Sequence, residues 1–384
     1  MPLFAKHNGV FVIMFGYNGS RNSGGQKSQA QEPQVTTPQN TEKDSPLKKT
    51  LVLFIKIAVA AVIVALLIKY NYQDFRNGIR KFNYYWFIPA FIAYVTHMFF
   101  CSWRWYRLAQ MIGVKLSVNE AFVVTMQSYF WSLVIPGGAI GGDVARLAIT
   151  AKRQPPGAKA EGILTILMDR AIGMVALFGM TIVLVLLSIP QLMNIEIAGT
   201  ELSNTVKIAG IIAILLLCIA GNAAMMALFF HRQLTKLAIV RRLFAWGDSQ
   251  SHGMVQRLTD AIDLYAKNWR QLSYLTIVSV FMVHGMTVLA VLFLICGLNI
   301  SQISLIGIFT AVSIGNIAGL IPLSLSGIGL RDAVLLGLLR ADNLPDNIAV
   351  IPILYSALII GVNILCAVFF IADSGSKTSG KENS

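Results

Sequence analysis

Long runs of apolar residues, separated by short polar stretches, dominate the chain from residue 51 onward. The runs 51–68 and 210–230 each hold at least 18 residues with almost no charge. A helix of about 20 apolar residues is long enough to cross the hydrocarbon layer of a bilayer, which is roughly 30 Å thick. The pattern therefore predicts an all-α integral membrane protein. The six predicted crossing helices are residues 51–68, 84–102, 162–189, 207–230, 272–296 and 348–371.

Two further apolar stretches, residues 118–150 and 305–340, are interrupted near their middle by proline and glycine. The first is broken at residues 135–138 and the second at residues 321–327, and each continues as a shorter helix that carries an acid and a base. Proline and glycine are common in membrane helices, so one such break carries little weight. Interrupted segments in corresponding places of two halves are, however, typical of transporter folds. We therefore predict two re-entrant hairpins that form a weak internal inverted repeat.

The positions of Lys and Arg predict the orientation of the chain. The sequence has 31 Lys and Arg against 18 Asp and Glu, which gives a formal net charge of +13. Cytoplasmic loops of membrane proteins are enriched in Lys and Arg. Six crossings with two hairpins place 18 basic residues inside and six outside, whereas eight straight crossings place 17 inside and nine outside. The first arrangement is favoured. It predicts cytoplasmic N- and C-termini, and hairpins that enter from opposite faces and meet near the midplane.

Three polar segments flank or interrupt the predicted membrane domain, which covers residues 51–371. Residues 1–50 are rich in Gln, Ser, Asn, Thr, Pro and Gly, a composition that predicts a disordered N-terminal tail. Residues 231–271 predict a cytoplasmic loop with two short amphipathic helices, which either lie on anionic lipid or form a solvated connector. Residues 372–384 predict a polar C-terminal tail.

The composition excludes several classes of protein. Apolar residues make up 55% of the chain and charged residues only 13%, too few to cover the surface of a soluble protein of this length. A nucleic-acid binder gathers its basic residues in one stripe, whereas here they lie in short loops. The four cysteines lie in or beside apolar runs and form no C-x-x-C pair, so no disulfide framework or zinc site is predicted. No enzyme motif occurs, and we predict no catalytic residue, metal or cofactor.

Charged residues inside the predicted membrane segments are the first candidates for a functional site. A charged side chain at the bilayer centre costs at least about 2.5–3.5 kcal/mol on insertion scales. Asp143 and Arg146 are three residues apart, so they lie on one helical face and can pair with each other. In the other two pairs the acid and the base are adjacent, so we expect their side chains to diverge and to find partners on other helices. The six candidates are Asp143, Arg146, Asp169, Arg170, Arg331 and Asp332.

The arginines and the broken helices are together suited to binding phosphate. Arg presents a planar fork that matches phosphate oxygens, and a helix that restarts after a glycine-rich break directs free N–H groups at an anion. We expect Arg146 and Arg331 to contact phosphate. The alternative is that the six charges neutralise one another as ion pairs that fix the register of the helices. The other residues predicted to line the hairpin tips are Gly137, Gly138, Gly141, Gly142, Ser324, Ser326, Gly327 and Gly329.

Two histidines and two aromatic clusters have simpler interpretations. His97 and His284 lie singly in predicted crossings, and we expect each to form a hydrogen bond with a neighbouring helix. The aromatic residues of 84–86 and 103–106 predict aromatic belts at the two ends of the second crossing. In this interpretation Arg104 belongs to the cytoplasmic loop that follows.

Five features occur in order along the chain. They are Trp103-Arg104-Trp105-Tyr106-Arg107, Pro136-Gly137-Gly138-x-x-Gly141-Gly142-Asp143-x-x-Arg146, Asp169-Arg170, Pro322-x-x-x-x-Gly327-x-Gly329, and Arg331-Asp332. In these features the chain resembles the flippase-like transmembrane region of lysylphosphatidylglycerol synthases and their stand-alone relatives, over roughly residues 50–370. That family often has Glu in place of Asp143, Asp169 and Asp332, a change that keeps the charge.

The resemblance implies a protein of a bacterial-type plasma (inner) membrane that moves a lipid across the bilayer or helps to present it. The sequence contains no counterpart of the soluble aminoacyl-transferase domain of the full synthases, so we do not expect it to make lysyl-lipid. We predict a flippase-like translocase that moves a phospho-headgroup lipid through a polar midplane site. Its predicted partners are membrane lipids with anionic phospholipid headgroups. A small-solute secondary transporter, or a membrane-embedded enzyme or accessory subunit of envelope-lipid or glycan assembly, are the alternatives.

Overall fold

The described part of the protein is helical apart from its turns and one pair of two-residue strands. The strands, β1 (Glu196–Ile197) and β2 (Thr200–Glu201), pair antiparallel. The predictions for 1–50, 231–261 and 372–384 lie outside the described residues, and so does most of the first predicted crossing. The computed structural model describes residues 72–135, 139–153, 159–194, 196–197, 200–201, 203–229, 262–300, 304–321, 328–341 and 344–369, together with positions 62, 65, 69 and 70.

The long helices follow the apolar runs, and several helices begin or end beside polar residues, Gly or Pro. Ser117 and Glu120 form a capping box at the start of α3, and Ser304 caps α10. Single turns of 3-10 helix cover Tyr84–Trp86 and Asp346–Ala349, and Ser279–His284 is π-helical. The α-helices are α1 (Tyr72–Lys81), α2 (Phe87–Met111), α3 (Val118–Val134), α4 (Ala139–Arg153), α5 (Lys159–Leu187), α6 (Ile189–Leu192), α7 (Asn204–Phe229), α8 (Trp269–Val278), α9 (Gly285–Cys296), α10 (Leu305–Gly319), α11 (Leu330–Ala341) and α12 (Val350–Leu365).

Within the described residues, five helical stretches are long and apolar enough to cross a membrane. They coincide in order with the second to sixth predicted crossings. The largest change is in the predicted crossing 84–102, because α2 continues to Met111 instead of ending near residue 102. The five stretches are Tyr84–Met111, Glu161–Leu187, Asn204–Ala227, Trp269–Cys296 and Asp346–Phe369.

The extended end of α2 overturns part of the aromatic-belt prediction. Trp105 is only 1% exposed, and its indole N–H donates to the Thr165 hydroxyl of α5 over 2.8 Å. Arg104 is 5% exposed and is therefore part of the helix bundle rather than of a loop. The reason is that α5 packs across this end of α2 and covers it. At the other end of the crossing, Tyr84 and Tyr85 are exposed, as the belt prediction requires.

Helices α3 and α4 fold back on each other and start and finish at the same end of the bundle. Gly142 on α4 lies against Ser128 and Ser132 of α3, so the second helix returns along the first. At their open end, residues 112–116, Glu120, Thr150, Arg153 and Glu161 line one common cavity. The pair therefore enters the bundle at the end where α5 begins.

Helices α10 and α11 form a second folded-back pair at the opposite end of α5. The Thr310 hydroxyl of α10 lies 2.6 Å from that of Ser188, immediately after α5. Leu338 of α11 packs in the same apolar cluster as Leu192. At the far end of α11, Arg340 pairs with Asp74 of α1 over 3.1 Å. The two helix pairs therefore approach the middle of the bundle from opposite ends.

Only part of the predicted second amphipathic helix of 231–271 is described. Residues 262–267 are helical, and Ile262 and Tyr265 are buried in a cluster with Leu108 of α2. A turn at Asn268 ends the helix of residues 262–267, and α8 begins at Trp269, which is 61% exposed.

Candidate functional site

A polar cavity of about 270 Å³ lies where the two folded-back pairs meet. On α5 its lining extends from Asp169 to Leu177, so it lies at least ten residues from either end of that helix. At 1.5 Å per residue this is a depth of about 15 Å from each side. The cavity is therefore in the middle of the bundle. Its lining includes side chains from α2, α3, α4, α5, α9, α11 and α12.

A buried cluster of three charges forms one wall of the cavity. Arg104 of α2 donates through Nε to one carboxylate oxygen of Asp169 over 2.7 Å, and Arg146 of α4 donates to the other oxygen over 3.0 Å. Arg104 also donates to the Ser279 hydroxyl over 3.0 Å. Gly173 gives the Arg104 guanidinium room, because a Cβ atom there would lie 3.2 Å from it. One carboxylate therefore forms ion pairs with two arginines from two different helices.

Arg146 keeps unused hydrogen-bonding capacity. Its guanidinium stacks on the Trp105 ring, with its central carbon 3.9 Å from the ring centroid. The side chain is 5% exposed, and its Nε and second terminal nitrogen have no hydrogen-bond partner among the described residues. Buried N–H groups are nearly always paired in proteins, so unpaired ones at a cavity indicate a place for a ligand or for water. Arg146 is held in place by Asp169 and Trp105 and is free to donate further.

The second acid–base pair crosses between two helices. Asp143 of α4 accepts a hydrogen bond from Nε of Arg170 on α5. The expected pairing of Asp143 with Arg146 on one helical face is wrong, because α5 packs against α4 and offers each of these charges an opposite charge. The prediction that Asp169 and Arg170 find partners on other helices is confirmed.

A separate polar cluster approaches the cavity from α11. Arg331 donates to Asp332 over 3.0 Å, and Asp332 also accepts from the Ser356 hydroxyl over 2.7 Å. The expectation that these two adjacent residues diverge is wrong. Gly329, with φ +94°, lets the chain turn so that its N–H donates to Asp332 over 3.1 Å. This bond draws the carboxylate back to the start of α11, where Arg331 and Ser356 reach it.

Both histidines form the interhelical hydrogen bonds expected of them. Nδ1–H of His97 donates to the carbonyl of Val283 over 2.9 Å, and Nε2–H of His284 donates to the carbonyl of Gly173 over 3.1 Å. Both bonds involve the segment Ser279–His284, which is π-helical, a form that is rare and often occurs at functional sites. The segment also supplies the serine that binds Arg104, so it ties α2 and α5 together at the level of the cavity.

Comparison with known proteins identifies the family. The sequence model of the lysylphosphatidylglycerol synthase TM region matches residues 53–371. The chain belongs to this family. No curated protein and no solved structure matches it. Membership together with the five long apolar helices establishes an integral membrane protein of a lipid-related family.

In this member of the lysylphosphatidylglycerol synthase TM family, the predicted site residues fall into three groups. Those at the cavity are Gly142, Asp143, Arg146, Asp169, Arg170 and Arg331, with Asp332 and Gly329 directly behind Arg331. Gly141 is not at the cavity: a Cβ there would lie 2.6 Å from the carbonyl oxygen of Ile135, so its role is close helix packing. Outside the described residues lie Gly137, Gly138, Ser324, Ser326 and Gly327.

Several residues of the cavity are not found by sequence analysis. The sequence predicts Arg104 in a loop, because its aromatic neighbours resemble an interfacial belt. Its partner Asp169 is 65 residues away in the sequence, so the pairing has no local signal. Asn316 and Asn363 are polar residues inside apolar helices, and that contrast alone is a usable signal. The remaining polar or titratable side chains that line the cavity without being predicted are Tyr94, Cys101, Thr125, Ser128, Tyr129, Ser132, Thr287 and Tyr355.

Proposed function

We propose that this protein is a flippase-like lipid translocase whose central cavity binds the phosphate of an anionic phospholipid headgroup. The observation that carries the proposal is the buried guanidinium of Arg146, which lines the cavity with two nitrogens unpaired among the described residues. Guanidinium groups match phosphate oxygens through paired hydrogen bonds. The acyl chains of the lipid would remain in the surrounding bilayer while the headgroup passes the cavity.

The charge balance of the cavity supports an anionic ligand. Four arginines line it or its immediate wall, whereas three aspartates pair with them. The surplus arises in the cluster of Arg104, Arg146 and Asp169, where two cations share one carboxylate. An unpaired ion in a low-dielectric interior is costly, so one negative charge is expected to bind here. Arg146 is the stronger candidate for this contact, because Arg331 already donates to Asp332 and Ser356.

The proposal includes an orientation in the membrane. The α3–α4 and α10–α11 pairs are proposed to be re-entrant hairpins that enter from the cytoplasmic and the outer face and stop at the cavity. Both termini are proposed to be cytoplasmic, which the loops rich in Lys and Arg support, and the membrane is proposed to be a bacterial-type plasma membrane. Such an arrangement gives a headgroup a polar stopping point about halfway across the hydrocarbon layer, which lowers the cost of desolvating it.

Reconstituted vesicles test the proposed function. Phosphatidylglycerol with a fluorescent acyl chain is incorporated with the purified protein, and a membrane-impermeant reductant reports how fast the label moves between leaflets. We expect Arg146→Ala to slow this movement about 10- to 100-fold, the loss of a charged hydrogen bond. Arg340→Ala is the matched control, because Arg340 pairs with Asp74 away from the cavity and its removal should leave the rate within about twofold.

Further measurements on the same vesicles distinguish lipid translocation from the alternative functions. Wild-type protein that moves lipid no faster than empty vesicles do contradicts the proposal. Uptake of a water-soluble tracer without lipid movement indicates a small-solute transporter. A chemically altered lipid, detected by mass spectrometry, indicates an enzyme of envelope-lipid or glycan assembly.

A further inference from the structure

Two more buried polar atoms at the cavity have no hydrogen-bond partner among the described residues. They are the hydroxyl oxygen of Thr125 on α3 and the side-chain oxygen of Asn363 on α12. Each of these residues is only 2% exposed. Helix α3 packs against α4, which carries Arg146, and also against α12. The cavity therefore combines unpaired groups of two kinds, carried by three helices that pack together.

The two kinds of group require different partners. The guanidinium nitrogens of Arg146 only donate, so they need an acceptor such as a phosphate oxygen. The side-chain oxygen of Asn363 only accepts, so it needs an O–H or N–H donor. A hydroxyl such as that of Thr125 can do either. A bare phosphodiester has acceptors alone and would leave the oxygen of Asn363 unpaired in a buried site, which is unfavourable.

We propose that the cavity selects phospholipids whose headgroup carries a hydrogen-bond donor beyond the phosphate. In this arrangement Arg146 binds the phosphodiester, while Asn363 and Thr125 accept from a hydroxyl or ammonium group farther along the headgroup. The inference rests on the proposed lipid translocation and specifies its substrate class. Headgroups that end in an alkyl or trimethylammonium group lack the donor and are rejected, because they cannot replace the water that they displace from Asn363.

Three lipids with the same fluorescent acyl chain test the selection. Phosphatidylglycerol and phosphatidylethanol carry the same single negative charge, but only the first has hydroxyl groups. Phosphatidylethanolamine supplies an ammonium donor instead. We expect the wild-type protein to move phosphatidylglycerol about tenfold faster than phosphatidylethanol, the effect of leaving one buried acceptor unpaired. If phosphatidylethanolamine moves as fast as phosphatidylglycerol, the site accepts both hydroxyl and ammonium donors. If it moves slowly, the site accepts only hydroxyl donors.

Asn363→Leu is the decisive variant. It removes the acceptor while keeping the number of side-chain atoms, so phosphatidylethanol no longer leaves a buried oxygen unpaired and the tenfold difference between the two lipids should disappear. Movement of both lipids faster than in empty vesicles shows that the variant is folded. Asn222→Leu is the matched control, because Asn222 on α7 also has a side-chain oxygen without a partner among the described residues but does not line the cavity. The tenfold preference should persist in this control.

Two results separate the inference from the proposed function. Equal acceleration of phosphatidylglycerol and phosphatidylethanol by wild-type protein, or a preference that survives in Asn363→Leu, overturns the selection and leaves translocation intact. Absence of acceleration for all three lipids overturns the translocation itself.

Discussion

At the scale of single residues, Asp169 is the charge on which two buried arginines depend. Arg104 and Arg146 come from different helices and bond to separate oxygens of its carboxylate, and the three side chains are 6% exposed or less. Buried ion pairs are weak evidence of stability when both partners are considered together. Removing one partner is costly, because a charge is then left in the interior without compensation.

We predict that Asp169→Asn lowers the free energy of unfolding by about 3–5 kcal/mol, because it leaves two adjacent buried guanidinium groups without their carboxylate. Denaturant unfolding of the purified protein in detergent measures the change. Asp74→Asn is the control: Asp74 and Arg340 are each about one-third exposed, and exposed pairs contribute about 0–1 kcal/mol. Similar small losses in both variants would show that the cluster does not hold α2, α4 and α5 together.

The charged residues show what a single sequence can and cannot reveal at this scale. Asp143, Arg146, Asp169 and Arg170 stand out in the sequence because ions are rare in apolar helices. The sequence does not reveal how these residues pair. Asp143 and Arg146 have the spacing of a pair within one helix, but in the structure each pairs with a residue of α5 instead. Arg104 has no local signal that separates a buried arginine from one that follows an interfacial aromatic belt.

At the scale of helices, the close packing of α3 against α4 depends on a glycine, Gly142. A Cβ at Gly142 would lie 2.6 Å from the backbone carbonyl oxygen of Ser128 and 3.1 Å from Cβ of Ser132. Real Cβ atoms do not come this close to a carbonyl oxygen, and the obstacle is backbone that cannot rotate away. Any side chain at this position must push the two helices apart next to Asp143 and Arg146.

We predict that Gly142→Ala lowers the free energy of unfolding by about 1–3 kcal/mol, the usual cost of overpacking. Thermal unfolding in detergent measures it. Gly337→Ala on α11 is the matched control: among the described residues, no atom lies within 4 Å of the place that the new methyl group would occupy, and alanine is favoured over glycine inside a helix by roughly 0.5–1 kcal/mol. A stabilised Gly142→Ala protein would mean that α3 and α4 are not in close contact there.

The existence of the two helix pairs is predictable from the sequence, but the contacts between the two helices of each pair are not. Proline and glycine at 135–138 and 321–327 mark both interruptions, because such residues end membrane helices. The contact of Gly142 with Ser128 and the turn at Gly329 depend on how each second helix returns along the first. Glycine spacing alone does not distinguish a glycine that packs against a helix, such as Gly141, from one that lines a cavity.

At the scale of the whole molecule, the cavity is assembled from distant parts of the chain. Its lining begins with Tyr94 on α2 and ends with Asn363 on α12. Continuous apolar runs identify the long helices, because about 20 apolar residues are needed to cross the hydrocarbon layer. It does not reveal which polar residues of those helices face one another, and for that reason Asn363 is not among the predicted site residues.

The approach of the two helix pairs from opposite ends of α5 predicts the accessibility of four positions. Single cysteines are placed at Lys115 and Glu161, which flank the α3–α4 pair, and at Leu305 and Asp346, which flank the α10–α11 pair. All four positions are exposed. The native Cys101, Cys218, Cys296 and Cys366 are replaced by alanine, so that a membrane-impermeant thiol reagent reports only on the introduced residue.

If both pairs are re-entrant, cysteines at 115 and 161 react from the cytoplasmic side and those at 305 and 346 react from the outer side. With eight straight crossings, each helix pair would cross the membrane once. The two positions that flank a pair would then lie on opposite sides of the membrane and react from opposite sides. The pattern within each pair therefore decides between the two arrangements regardless of the absolute orientation. Labelling in intact cells and in inverted vesicles provides both readings, and the cysteine-free protein gives the background. Opposite-sided labelling of 115 and 161 would remove the physical basis for a headgroup site reached from both leaflets.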